Sequence, residues 1–163
     1  MSEIHIVAER IGSTYRIPIT LSNSDFGIKL DTGAKYTVIS ATAIKDTLTE
    51  EDLERIKSHC EGRCGQREEF ISASGHSFFG YPVLAHNVEM GDSILKDFRY
   101  YLVVENKRDI ALLGFDFIDR CVFSHKTKED IVLTAFDEGG YGEPNGALEN
   151  DEVIALIDSL TDV

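Results

Sequence analysis

Apolar and polar residues alternate through the first part of the chain. Ile4, Ile6 and Ala8 recur with a period of two, and so do Tyr15, Ile17, Ile19 and Leu21. That period predicts two strands joined by a turn at Gly12-Ser13. Pro18 has no N–H to give a ladder and marks an edge or an irregularity in the second strand. Ser22-Asn23-Ser24-Asp25 is turn chemistry, and a third strand from Phe26 to Leu30 ends on Asp31. Beyond Ser40 the pattern changes: Thr49-Glu50-Glu51-Asp52 has the form of a capping box opening a short helix with Leu53 and Ile56 on one face, and His59 to Gln66 reads as loop. From Glu69 to Val104 the apolar pieces Phe70-Ile71, Phe78-Phe79, Val83-Leu84 and Tyr100 to Val104 predict a β meander with turns at Ser74-Gly75 and Gly91-Asp92. Phe115 to Asp119 has the length of one helical turn, and Ile131, Leu133 and Ala135 alternate as a final strand. A β-rich unit over 1–137 is thus followed by a Gly-rich linker over 138–148 and an acidic amphipathic helix within 149–163, capped by Asn150 and carrying Val153, Ile154, Ile157 and Leu160 on one face.

Composition narrows the function classes. The 163 residues suit one domain with short appendages, and 42% hydrophobic residues suffice for a core. A formal charge of -13, from 29 acidic and 16 basic residues, argues against nucleic acid or an anionic membrane as partner, since either surface would repel the chain. The start Met1-Ser2-Glu3-Ile4 lacks a basic, apolar leader pattern, and no apolar run approaches the ~20 residues that span a bilayer. Three cysteines, Cys60, Cys64 and Cys121, are too few and odd in number for a disulfide framework. The expectation is a soluble protein of the cytoplasm.

The candidate chemistry sits at Asp31-Thr32-Gly33-Ala34, between the apolar strand that ends at Leu30 and the apolar run Val38-Ile39. A carboxylate on a tight turn between buried strands loses hydration unless the turn supplies donors, so the position is costly for an ordinary surface Asp. Downstream lies Ala111-Leu112-Leu113-Gly114-Phe115-Asp116-Phe117-Ile118. The two motifs in this order resemble the active-site turn and the later apolar-apolar-Gly element of the retropepsin-like aspartic proteases. There is no internal repeat, unlike the two-lobed pepsin-like enzymes, which carry the Asp motif twice.

The resemblance implies a mainly β fold, a closed retropepsin-like (acid protease) barrel with short helices, here followed by the C-terminal amphipathic helix. It implies an aspartic endopeptidase that hydrolyses peptide bonds as a homodimer, with Asp31 of each chain activating one water and with no metal or organic cofactor. Thr32, Gly33 and Ala34 would shape the turn, and Leu112, Leu113 and Gly114 would support it from beneath. A mobile hairpin would cover the cleft, with Ala73, Ser74, Gly75 and His76 at its tip against a peptide or protein substrate. The chain departs from viral members, which place an acid after Asp-Thr-Gly-Ala and an Arg after the apolar-apolar-Gly element; Lys35 and Phe115 stand there instead. Both halves of that ion pair are absent together, so neither charge is stranded.

Plainer readings stand beside these. Asp31 could be a structural turn residue, Asp116 caps or orients the short helix, and the fold could persist as a catalytically silent dimerisation or peptide-binding module. His59, Cys60 and Cys64 lack a fourth ligand at a recognisable spacing, so loop thiols are the default over a zinc site. The C-terminal helix either packs on its own domain or hooks a partner in a larger assembly.

Overall fold

A computed structural model of the protein describes residues 3–63, 67–71, 75–104, 109–125, 130–136 and 147–161. Strands β1 (Glu3–Ile11), β2 (Thr14–Leu21) and β3 (Ser24–Leu30) form two consecutive hairpins. Each has a two-residue turn whose first residue has a positive φ, Gly12 at 64° and Ser22 at 57°. That sign matches the right-handed twist of the strands it joins. Because Leu21 pairs with Ser24, the second turn is only Ser22-Asn23, and β3 starts two residues earlier than the polar composition of Ser24-Asp25 predicts.

The chain continues through β4 (Val38–Ser40), the short α1 (Ala41–Ile44) and α2 (Glu50–Arg63). The capping box is present: the Thr49 N–H donates to Asp52 Oδ2 at 3.0 Å and the Asp52 N–H to Thr49 Oγ1 at 3.2 Å. The loop expected from His59 is instead helix as far as Arg63. Cys60 is buried on the same face as Leu53 and Ile56, and His59 and Arg63 both reach Glu152 near the C-terminus, at 2.9 and 3.3 Å. Contacts this remote in sequence extend the helix through residues whose local composition is loop-like. Cys64 lies outside the described residues, and among those residues no His, Cys, Asp or Glu cluster could hold a metal.

Next come β5 (Glu68–Ile71), β6 (Ser77–Met90), β7 (Ser93–Val103), β8 (Ala111–Leu113), α3 (Phe115–Ile118), β9 (Cys121–His125), β10 (Asp130–Phe136), β11 (Leu148–Glu149) and α4 (Asn150–Thr161). The meander is present with fewer, longer strands than its apolar pieces imply: Phe78-Phe79 and Val83-Leu84 belong to one strand. Six strands close a barrel in the order β6-β7-β4-β8-β3-β2, and β2 returns to β6 through Ile19↔Met90 and Thr20↔Glu89. Pro18 marks the irregularity its missing N–H predicts. It sits where β2 leaves β1, paired up to Arg16, and meets β6 from Ile19 onward. Outside the barrel, β1, β10 and β9 extend the sheet from β2.

One apolar core fills this frame. Ile6, Ile17, Ile28, Met90, Phe98, Leu102 and Leu113 are fully buried, and Leu53 and Ile56 of α2 join them with Val153, Ile154 and Ile157 of α4. Each such side chain withdrawn from water contributes about 1.5–3 kcal/mol. The C-terminal helix is therefore part of the domain's core. Its first residue Asn150 is buried, and Asn150 Oδ1, expected from sequence to cap the helix, accepts a 2.6 Å hydrogen bond from Tyr100 OH. The preceding β11 lies parallel to β6, where His86 bridges Asp97 at 2.7 Å and Glu149 at 3.2 Å. No helix among the described residues is long and apolar enough to cross a membrane.

Two predictions follow from the seating of α4. Tyr100→Phe leaves Asn150 Oδ1 buried without its donor, so it lowers stability by about 1–2 kcal/mol; urea denaturation measures the loss, and faster amide exchange in α4 locates it. The hydrogen bond to Asp97 holds the His86 imidazole above its ordinary value of 6.5, with partial desolvation opposing it. A raised folded value means the stabilisation is complete below the unfolded pKa and disappears as the pH climbs through the folded one. Thermal melts of His86→Gln against the parent, from about pH 5.5 to about pH 9, should show a gap that is widest at the acid end.

Candidate active site

Asp31 comes directly after β3, whose last two residues pair in parallel with β8 through Lys29↔Leu112 and Leu30↔Leu113. The Asp31 N–H donates to the Leu113 carbonyl at 3.0 Å, so the backbone at this position is fixed to β8. The turn then folds on itself. Ala34 N–H donates to the Asp31 carbonyl at 3.2 Å, and Gly33 N–H donates to Asp31 Oδ1 at 3.0 Å. One carboxylate oxygen is thereby aimed by the turn, while the side chain stays only half-buried at the edge of a cavity. Thr32 and Gly33 are exposed and Ala34 is half-buried.

Beneath the turn the chain crosses itself closely. Phe115 N–H donates to the Ala34 carbonyl at 2.7 Å and Asp116 N–H to the Lys35 carbonyl at 3.2 Å. Gly114 is required by contact: a Cβ there would overlap the Tyr36 carbonyl group. Thr37, wholly buried, donates its hydroxyl to Asp116 Oδ1 at 2.7 Å and accepts the Gly114 N–H at 3.1 Å. Asp116 Oδ1 also accepts the backbone N–H of Thr37 at 3.0 Å and of Phe117 at 2.8 Å. The expected orienting role of Asp116 toward the short helix is present and extends to the opposite segment. Thr37 carries no assignment from sequence, although a hydroxyl inside the run Tyr36-Thr37-Val38-Ile39 is the signal that a buried polar partner is needed.

A cavity of about 850 Å³ opens beside Asp31. Its walls include Tyr36 and Val38 after the turn, Phe70 and Ile71 of β5, Phe78 of β6, and Ile110. The β5–β6 hairpin rests on the barrel through Phe70, whose ring centroid lies 5.5 Å from Phe78, 5.6 Å from Tyr101 and 5.8 Å from Tyr36. Gly80 makes room for that ring, because a Cβ there would stand 2.7 Å from Phe70 Cε2. Of the expected hairpin tip, Gly75 has φ +84° and His76 is exposed, while Ala73 and Ser74 lie outside the described residues. Leu112 lines the cavity, and Leu113 and Gly114 are buried behind the turn. The described part of the chain thus brings Asp31, its turn and Leu112 of the Leu-Leu-Gly segment to one cleft, which residues of β5 and β6 also line.

A crystal structure of a retropepsin-like aspartic protease from Rickettsia conorii superposes on this chain with a TM-score of 0.50, covering 82% of this chain and 93% of that one at 16% identity. The fold is retropepsin-like. Neither a family model nor a curated protein sequence matches the chain. At 16% identity the likeness is one of fold, the six-stranded barrel and its attached helices.

The Thr37–Asp116 connection sets a quantitative expectation. Asp116→Ala leaves Thr37 with an unpaired N–H and hydroxyl and should cost about 2–3 kcal/mol, whereas Asp116→Asn retains an acceptor oxygen and should cost about 1 kcal/mol. Urea unfolding of the two variants beside the parent measures both differences.

Proposed function

We propose that the protein is an aspartic endopeptidase whose active form is a homodimer, with Asp31 of each chain facing one water across a two-fold axis. The observation that supports this most directly is the placement of Asp31 itself. On a retropepsin-like barrel, a carboxylate aimed by its own turn stands at the mouth of a cleft large enough for a peptide. A single chain holds one copy of the motif, so its mate comes from a twin molecule.

Two carboxyls a few ångströms apart resist joint ionisation and share one proton over a range of pH, and the two titration steps belong to the pair. The ionised member takes a proton from water as its oxygen attacks the scissile carbonyl carbon. The protonated member gives its proton to the carbonyl oxygen, which yields a neutral tetrahedral diol. On collapse, the C–N bond breaks as the amine nitrogen receives a proton and the diol returns one to the dyad, leaving a carboxylic acid and an amine. Thr32, Gly33 and Ala34 hold the turn against its symmetry mate, and Leu112, Leu113 and Gly114 keep it rigid. The hairpin ending near Gly75 and His76 closes over bound peptide and excludes water.

Asp31→Asn should reduce peptide cleavage by about 10²–10⁴-fold while leaving thermal stability and solution mass unchanged. Digestion of a peptide library from acidic to neutral pH, with and without a statine-type inhibitor, together with sedimentation at increasing concentration, provides the measurement. Full activity of the variant, or a parent protein that stays monomeric with peptide bound, overturns the proposal.

A further inference from the structure

Arg16 of β2 and Lys29 of β3 are direct cross-strand partners, and both line the cavity that holds Asp31. Like charges set opposite each other in an antiparallel pair destabilise the sheet, so the pairing has no structural benefit. Carboxylates are plentiful in this chain, with 29 acidic residues against 16 basic, and Lys45, Arg55, Arg63 and Arg67 each hold one. Among the described residues, neither Arg16 nor Lys29 forms an ion pair.

Their position relative to Asp31 is set by the register. Lys29 is the next-to-last residue of β3, Asp31 follows the strand directly, and both line the same cavity. Across the barrel, Arg16, Lys29, Leu112 and Val38 occupy one transverse row through β2, β3, β8 and β4. The row is cationic at one end and apolar at the other. Apart from Asp31, the cavity's acids come from other elements: Glu68 and Glu69 from β5, and Asp109 from the segment before β8.

We infer that this cleft recognises peptides bearing a carboxylate side chain, Asp or Glu, which the Arg16–Lys29 pair holds close to the bond presented to Asp31. The guanidinium fork of Arg16 suits a carboxylate in a bidentate contact, and Lys29 adds a second positive charge on the side nearer Asp31. Binding the acid relieves the repulsion between the two cations, so the ligand supplies what the sheet lacks. The inference rests on the cleft being the peptide site proposed above, and its test reads binding separately from hydrolysis.

The full-length Asp31→Asn protein would be titrated with a positional-scanning set of fluorescent, C-terminally amidated peptides carrying Glu or Gln at each position in turn. The expected result is a preference of about tenfold for Glu at one position, shrinking as salt rises to about 0.5 M and lost in a protein that also carries Arg16→Gln and Lys29→Met. Equal affinity for Glu and Gln at every position, no binding at all, or a preference that survives the added substitutions overturns it. Recognition only of peptides with a free C-terminus also overturns it, because the carboxylate read would then be the chain end. Should the added substitutions unfold the protein, as circular dichroism would reveal, Arg16→Gln alone and the salt dependence of the Asp31→Asn parent decide. Glu-dependent binding without cleavage by the unsubstituted protein upholds this inference while removing the protease reading, so the two fail separately.

Discussion

The buried hydroxyl of Thr37 is the constraint on which the rest of the cleft depends. It donates to Asp116 and accepts from Gly114, joining the segment that leaves the Asp31 turn to the segment that leaves β8. A buried hydroxyl left unpaired would cost about 1–3 kcal/mol, so the two segments have to cross at this spacing. Everything above the crossing inherits its rigidity: the Ala34 and Lys35 carbonyls are occupied by Phe115 and Asp116, the Asp31 backbone by Leu113. A glycine at 114 is the steric condition for that approach, and the hydroxyl provides its bond.

This crossing also holds the two segments together without an ion pair between positions 35 and 115. Lys35 is exposed with its ammonium 5.1 Å from the centre of the Tyr36 ring, and Phe115 presents half of its surface to solvent. The connection between the two segments lies instead in the neutral and charge-assisted hydrogen bonds made by the wholly buried Thr37. Such bonds hold a geometry without the desolvation cost of burying two full charges.

Much of the architecture is legible in the residues. Alternation at Ile4-Ile6-Ala8 and Ile17-Ile19-Leu21, the capping box at Thr49 and the apolar stripe of the last helix are local signals, and local physics decides those elements. What escapes is decided at a distance. Helix α2 runs past His59 because Glu152 waits for it, and β9 is a strand because β10 pairs with Cys121 to His125. The two motifs around Asp31 and Gly114 are visible as motifs, whereas the Thr37 connection needs the fold before its partners, far apart in sequence, can be seen together. Arg16 and Lys29 are separated by a hairpin whose register is set by a two-residue turn, so only the paired strands reveal them as neighbours.

The long pairing of β1 with β10, from Glu3↔Phe136 to Glu9↔Asp130, bears on how this molecule is made. A ribosome releases β1 early and β10 late, and for most of synthesis the first strand has only its hairpin with β2, over Glu9 to Ile11, on which to rest. Its remaining length is an open edge through that interval, available to any other extended chain. Topologies so dominated by distant pairing fold slowly, and a nascent chain of this kind gains from a chaperone that keeps its beginning covered until its end arrives.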